Sequence, residues 1–285
     1  MEAAVEPEGR RRVTVKDGPL TIVRGGGDLA TGVAVRLHRA GFPLLVLEMA
    51  QPLAVRRLVA MAEAVYAGRV EIEGIEGRRA ESEGEVARLI AAGVVPVMVD
   101  EPAACLRSLR PAAVVDGRMR KQPSELPLEA APLIIGLGPG FDAGVDVHAV
   151  VETRRGHHLG RVVWKGSASP DTGVPEPVEG YAVDRVLRAP RNGVMHGLAS
   201  IGSLVRQGEP LLAVDHQTVT APFDGALRGL LHDGVRVHAG MKVGDLDPRR
   251  DVGYCREVSD KALAVGGAVL EAILSRPDLR RRLAG

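Results

Sequence analysis

The residues best suited by type and spacing to do chemistry begin with Gly25-Gly26-Gly27-Asp28. They follow the apolar run Leu20 to Val23 and precede Leu29, Ala30, Val33, Ala34 and Leu37 at helical spacing. A strand, a glycine turn and then a helix aim backbone N–H groups at a phosphate. Gly25, Gly26, Gly27, Asp28 and Thr31 are therefore candidate phosphate-binding positions. Glu48 closes the next apolar run, Leu44 to Leu47. It lies about twenty residues past the turn, where a dinucleotide-binding unit places its ribose-binding acid. A carboxylate there repels a 2′-phosphate and so favours an unphosphorylated ribose. The competing reading is a glycine turn in an α/β fold that binds nothing at that corner.

Further candidates end other apolar runs. Asp100 follows Val94 to Val99, and Asp116 follows Ala112 to Val115. Gly136, Gly138 and Gly140 follow Leu133-Ile134-Ile135, where they form either an anion-binding nest or a plain turn. His157 is a candidate proton-transfer group with Glu152 to orient it. Adjacent residues on an extended chain face opposite ways, so His157 and His158 do not share a metal, and no metal site is assigned. Cys255 stands beside Arg256, which would lower a thiol pKa. A solvated loop and a structural cysteine are the plainer alternatives at those two places.

These residues need elements to position them. Apolar runs alternating with amphipathic stretches imply an α/β chain, expected as a Rossmann-like doubly wound parallel sheet over residues 20–165. Helices are expected over Val55 to Val65 and around Val86 to Ile90, and a strand over Val70 to Ile75. The strand C-termini of such a sheet open into one crevice, where ligands bind. Residues 1–19, with Arg10-Arg11-Arg12, read as a flexible lead-in, and 166–183 as a linker or lid.

Residues 189–215 align without gaps on 221–247, with nine identities in twenty-seven positions. Two interlocking halves imply a small pseudo-symmetric β-barrel of the biotinyl/lipoyl hammerhead type over 184–249. The hairpin joining its halves, Val214 to Val219, carries no lysine, so neither biotin nor lipoate is expected. Residues 250–285 form a helical segment that packs on the first domain. Its Gly266-Gly267 pair costs roughly 1–2 kcal/mol against alanine, which close packing is expected to offset.

With 37 basic and 36 acidic side chains the chain has a formal charge of +1. That balance provides no electrostatic footprint for nucleic acid or an anionic membrane. Seven aromatics in 285 residues make no base-stacking platform. Two isolated cysteines suit a reducing compartment, and no apolar run reaches membrane-spanning length. The expected location is the cytoplasm.

Several segments together resemble one family: Arg24-Gly25-Gly26-Gly27-Asp28-Leu29-Ala30-Thr31-Gly32, Glu48-Met49-Ala50-Gln51-Pro52, Gly136-Leu137-Gly138-Pro139-Gly140-Phe141, Arg155-Gly156-His157-His158-Leu159-Gly160, Ala221-Pro222-Phe223-Asp224-Gly225 and Ser259-Asp260-Lys261-Ala262. The chain resembles the YqeB-type accessory proteins of selenium-dependent molybdenum hydroxylases, themselves distantly similar to XdhC-type maturation factors. The resemblance implies an accessory role in maturing a molybdenum hydroxylase. A molybdopterin-type cofactor or a nucleotide would sit in the crevice, and the apo-hydroxylase would be the partner. His158 departs from the acid expected there in relatives. The resemblance leaves open whether the protein catalyses anything, and whether it forms a homo-oligomer. The alternative from another class is an NAD-dependent oxidoreductase of unknown substrate.

Overall fold

The computed structural model describes residues 18–173 and 178–281. Most of the expected lead-in, and part of the expected linker, lie outside the described residues.

The chain builds one large sheet first. Its strands are β1 (Thr21–Arg24), β2 (Leu44–Glu48), β3 (Arg69–Ile72), β4 (Ile75–Ala80), β5 (Val95–Val99), β6 (Ala113–Asp116) and β7 (Ile134–Leu137). The two-residue β8 (Asp142–Ala143) leads to β9 (Ala149–Val151) and β10 (Val162–Val163), and β11 (Gly166–Ser167) returns to pair with β8. The nine-stranded order is β10-β9-β7-β6-β1-β2-β5-β4-β3. The seven inner strands are parallel, while β3 and β10 run antiparallel at the edges.

This corrects the expectation of a doubly wound Rossmann-like sheet. Past β2 the sheet receives β5, not the next strand in the chain, and an antiparallel hairpin closes that edge. The hairpin arises at Glu73-Gly74, whose φ angles are 48° and 80°. Two successive positive φ values make the tight turn that suits hairpin twist. The expected single strand over Val70 to Ile75 is thereby split into β3 and β4. On the other side β6, β7 and β9 follow one another without crossover α-helices, since only a 3₁₀ turn at Leu128–Ala130 separates β6 from β7.

Helices α1 (Asp28–Arg39), α2 (Ala64–Ala67), α3 (Glu83–Ala91), α4 (Leu106–Leu109), α5 (Asp260–Leu274) and α6 (Pro277–Arg281) complete this part. One apolar core joins a face of the sheet to α1 and α5, through Val23, Val46, Val115, Val33, Val265 and Val269. The other joins the opposite face to α3 and α4, through Ile22, Leu45, Val114, Val86 and Leu106. Helix α5 meets α1 with almost no side chain between them. A Cβ on Gly32 would lie 2.4 Å from the Ala262 carbonyl oxygen, and one on Gly266 would lie 2.4 Å from that of Gly32. Gly266 thus supplies the close packing expected of the pair, whereas Gly267 faces open space.

The C-terminal module holds β12 (Val186–Arg188), β13 (Gly193–Gly197), β14 (Leu204–Val205), β15 (Pro210–Val214), β16 (Gln217–Thr220), β17 (Gly225–Leu230), β18 (Arg236–Val237) and β19 (Lys242–Asp247). The sequence repeat is visible in the pairing. Short strand β14 of the first half pairs with β17 of the second, and β18 of the second pairs with β13 of the first. Neither half completes a sheet without the other. The expected closed barrel does not form: the strands make two separate four-stranded antiparallel sheets, β12-β19-β17-β14 and β16-β15-β13-β18. Leu187, Met195, Leu212, Leu227 and Leu246 fill the core of this module.

Residues 55–57 join the two parts. The expected helix over Val55 to Val65 is helical only from Ala64, where α2 begins; before it the chain is extended or in 3₁₀ turns, at Arg57–Val59 and Met61–Glu63. The reason is pairing with Leu230. Leu230 donates its N–H to the Val55 carbonyl, and the Arg57 side chain donates from Nε to the Leu230 carbonyl. Tyr66 stacks on His232 across the same seam, with ring centroids 3.9 Å apart.

Candidate functional site

The chain leaves β1 toward β2 on one side and returns from β5 to β6 on the other. The sheet therefore reverses direction between β1 and β6. In open α/β sheets a crevice at the strand carboxyl ends opens at such a point. Here Arg24 and Asp116, the last residues of β1 and β6, stand opposite each other in register. The glycine turn, Glu48, the 117–122 loop and the 136–141 loop surround them.

The structure brings most of the sequence candidates to this rim but occupies their polar atoms with protein. Gly25 donates its N–H to the Leu47 carbonyl, and Gly26 donates to Glu48 Oε2 at 2.7 Å. Glu48 Oε1 accepts the Met49 N–H at 2.8 Å. Burial is the largest influence on the Glu48 carboxyl and raises its pKa above the ordinary 4.5, only partly offset by those two N–H donors. Added Cβ atoms on Gly25 and Gly26 would press on Arg118 and on the Ala62 main chain. Those two glycines thus serve protein packing. Gly27 has nothing within 4 Å of its Cβ position. It caps α1 without a side-chain hydrogen bond, so the first-turn N–H groups behind it lack intrahelical acceptors.

Thr31 and Asp28 turn away from any ligand. Thr31 is fully buried; its hydroxyl donates to the Gly26 carbonyl and accepts the Met61 N–H. Asp28 takes both its bonds from Arg56 Nη1, at 3.0 and 2.9 Å. Arg56 Nη2 in turn donates to the carbonyls of Tyr254 and Glu257, tying the start of α1 to the segment before α5. Asp100 is a turn cap, accepting the N–H groups of Ala104 and Cys105.

The second glycine turn also meets protein. A Cβ on Gly136 would strike the Phe141 ring, and one on Gly140 would lie 2.4 Å from the Gln122 nitrogen. Gly138, at φ 74°, would touch Thr153 and Met119. Gly140 lets the 136–141 loop approach the backbone of the 117–122 loop, while Gly136 makes room for the Phe141 ring and Gly138 for Thr153, which accounts for them without a bound anion.

That 117–122 loop is what sequence reasoning passed over. It holds Arg118, Arg120 and Lys121, and its backbone is left-handed at Met119 and Lys121, with φ of 56° and 58°. Such conformations cost of order 1–3 kcal/mol each and gather at functional sites. The signal in the sequence was three cations in four residues directly after Asp116. Arg118 holds Asp116 and Glu125; Arg24, nearly wholly buried, holds the same two acids together with the Glu101 carbonyl.

The two residues singled out for chemistry lie apart from this crevice's polar network. His157 is exposed, and its ring meets His158 edge to face. Glu152 does not orient it, because its carboxylate accepts the N–H groups of Arg154 and Ser169. Burial pushes Glu152 upward, but these donors prevail and leave its pKa below the ordinary value. Cys255 is fully buried, 3.7 Å from the Leu227 carbonyl oxygen. Burial raises its thiol pKa against the nearby arginines, the reverse of the activation expected from Arg256. Among the described residues no three His, Cys, Asp or Glu side chains gather in a metal-holding group. No described helix is long and apolar enough to cross a membrane.

No protein-family model matches the chain. It is 45% identical over 255 residues, 90% of its length, to the uncharacterized protein YqeB of Escherichia coli K12. The match covers 47% of that protein, so this chain spans about half the length of the curated relative it matches. The similarity supports the YqeB-type resemblance of the motifs. Among solved structures, the chain is similar to an aspartoacylase family protein from Mesorhizobium loti, at 13% identity and a TM-score of 0.25, covering 81% of this chain and 85% of that one. It is also similar to a succinylglutamate desuccinylase/aspartoacylase from Rhodobacter sphaeroides, at 15% identity and a TM-score of 0.25, covering 82% and 86%.

Proposed function

We propose that the protein is an accessory factor for a molybdenum hydroxylase, holding a phosphate-bearing molybdopterin-type cofactor or a nucleotide at the strand-end rim between β1 and β6. The observation that carries the reading is the rim itself. The open Gly27 corner at the start of α1 stands on the same rim as the cations Arg118, Arg120 and Lys121. Helix N-termini and arginine forks are both suited to phosphate oxygens, so the donor set fits the anionic end of such a group. The family resemblance supplies the rest of the reading.

When bound, the cofactor would contribute a metal-coordinating dithiolene and a phosphate tail. The chain's own part is to bind and orient. Gly27 leaves room for close approach to the main chain, and Arg120, paired with Glu125, and Lys121, paired with Asp171, are the cations a phosphate would have to draw from those acids. With Cys255 buried and Glu152 turned from His157, the rim reads as a holding site. The C-terminal module, tied to residues 55–57, is the surface proposed to meet the apo-hydroxylase.

Thermal stabilisation of the purified protein tests this, with anaerobically prepared molybdenum cofactor, CMP, CTP, NAD and NADH in parallel. A ligand at about a hundredfold its dissociation constant adds roughly 2.7 kcal/mol of stability. The expected outcome is a shift with the molybdenum cofactor, CMP or CTP and none with NADH. A shift confined to NAD or NADH overturns the reading in favour of an oxidoreductase, and no shift with the cofactor, CMP or CTP overturns it outright.

A further inference from the structure

Three guanidinium groups converge on one carboxylate at the crevice mouth. Glu125 Oε1 accepts from Arg24 Nη2 at 2.7 Å, Arg118 Nη1 at 2.7 Å and Arg120 Nη1 at 3.3 Å, and Oε2 accepts from Arg118 Nη2 at 2.8 Å. Arg24 and Arg118 also share Asp116. The five side chains carry three positive charges against two negative ones. Arg24 retains a buried Nε with no hydrogen-bond partner among the described residues.

The carboxylate itself is exposed. The Glu125 side chain is 45% accessible, against 1% for Arg24 and 14% for Arg118. It sits on the segment after β6, whose backbone is left-handed at Met119 and Lys121. A carboxylate offers two oxygens to this array, whereas a phosphoryl group offers three with more charge. Arginine forks match phosphate geometry in the same bidentate fashion.

We propose that Arg24, Arg118 and Arg120 form a phosphoryl-binding site, and that Glu125 is an internal anion that occupies it until a phosphate or diphosphate ester displaces it. The site rests on the reading above only in placing the ligand's phosphate at this rim. The arginine hydrogen bonds, first that of Arg118, hold the Glu125 carboxyl well below its usual range. It therefore competes as a charged carboxylate at neutral pH.

The test is calorimetric titration of the full chain with inorganic pyrophosphate at low ionic strength. Removing the competing charge in Glu125→Gln should tighten binding by about tenfold or more, the scale of one charge-assisted contact. Arg120 is exposed and among the described residues bonds Glu125 and Gln122, so Arg120→Met should fold normally. It should weaken pyrophosphate binding by about tenfold, alone or combined with Glu125→Gln. If Glu125→Gln folds and binds pyrophosphate no better than the parent, the proposal fails. It also fails if Arg120→Met leaves affinity unchanged, a result that decides the matter even should Glu125→Gln not fold.

The two readings separate cleanly. Pyrophosphate binding that follows this pattern, without stabilisation by molybdenum cofactor, keeps the phosphoryl site and removes the accessory role. Cofactor stabilisation indifferent to both substitutions does the reverse.

Discussion

The Gly26 N–H and the Glu48 carboxylate are joined at 2.7 Å, so the acid at the end of β2 closes the glycine turn at the end of β1. The spacing that suggested a ribose contact is the same spacing that lets the acid reach across two neighbouring parallel strands. Its other oxygen is taken by Met49.

Glu48 should make stability depend on pH in a defined direction. Burial raises its folded pKa above the ordinary 4.5. For an acid so shifted, the contribution is fully present below the unfolded pKa and is lost as pH rises through the folded one. Denaturant unfolding of the parent and Glu48→Gln, compared from below pH 4.5 upward, should show the parent's relative stability falling as pH rises. A relative stability that climbs instead would show that the backbone donors outweigh burial. Glu48→Ala, which strips acceptors from two N–H groups, should cost about 1–3 kcal/mol.

The glycine pair in α5 supplies a contrast within one turn. Gly266→Ala would put a methyl 2.4 Å from the Gly32 carbonyl oxygen, a main-chain atom that cannot step aside. It should destabilise by roughly 1–3 kcal/mol or more. Gly267→Ala meets nothing within 4 Å and should stabilise the helix by about 0.5–1 kcal/mol. Urea midpoints at unchanged slope measure both. Equal effects at the two positions would contradict the α1–α5 packing described.

What the sequence made legible were the features that local pattern determines. The apolar runs leading to Arg24, Glu48, Asp116 and Gly136 are strands, the last of them running on through Gly136 and Leu137; Val86 to Ile90 lies in a helix, and the 32-residue offset reappears as reciprocal pairing of β14 with β17 and β18 with β13. Strand order was not legible, because nothing local to β5 says that it inserts between β4 and β2. Nor was the conformation of residues 55–63, whose helical spacing yields to main-chain pairing with Leu230. At the site, residue types marked the rim but not their occupation. Glycines read as room for a ligand are largely room for protein, and only Gly27 stays open. The arginines were missed because a short cationic run after a strand is most often a solvated loop, and nothing in its spacing shows that Arg24 and Glu125 meet it.

Arg56 should be among the most sensitive positions outside the apolar core. It is buried and links Asp28 on α1 to the carbonyls of Tyr254 and Glu257. Arg56→Met leaves Asp28 without its counter-charge and two carbonyls without donors, costing roughly 3–5 kcal/mol. Arg56→Lys should recover little, since one ammonium cannot span both sets of acceptors as a planar fork does. Recovery to parental stability with lysine would mean that only the charge matters there.

The cysteines test whether thiol chemistry belongs to this protein at all. Cys255 and Cys105 are both buried, and burial is the leading cause of a raised pKa at each, reinforced at Cys105 by Asp100. The thiolate is the reactive form, so a neutral-pH maleimide should label neither in the native state and both after denaturation. Cys255→Ala should cost about 1–2 kcal/mol as a packing defect, whereas exposed His157→Ala should stay within about 0.5 kcal/mol. Rapid native labelling of Cys255 would reinstate it as a nucleophile. Labelling that tracks global unfolding would confine it to the core beneath β17, where its sulfur faces the Leu227 carbonyl.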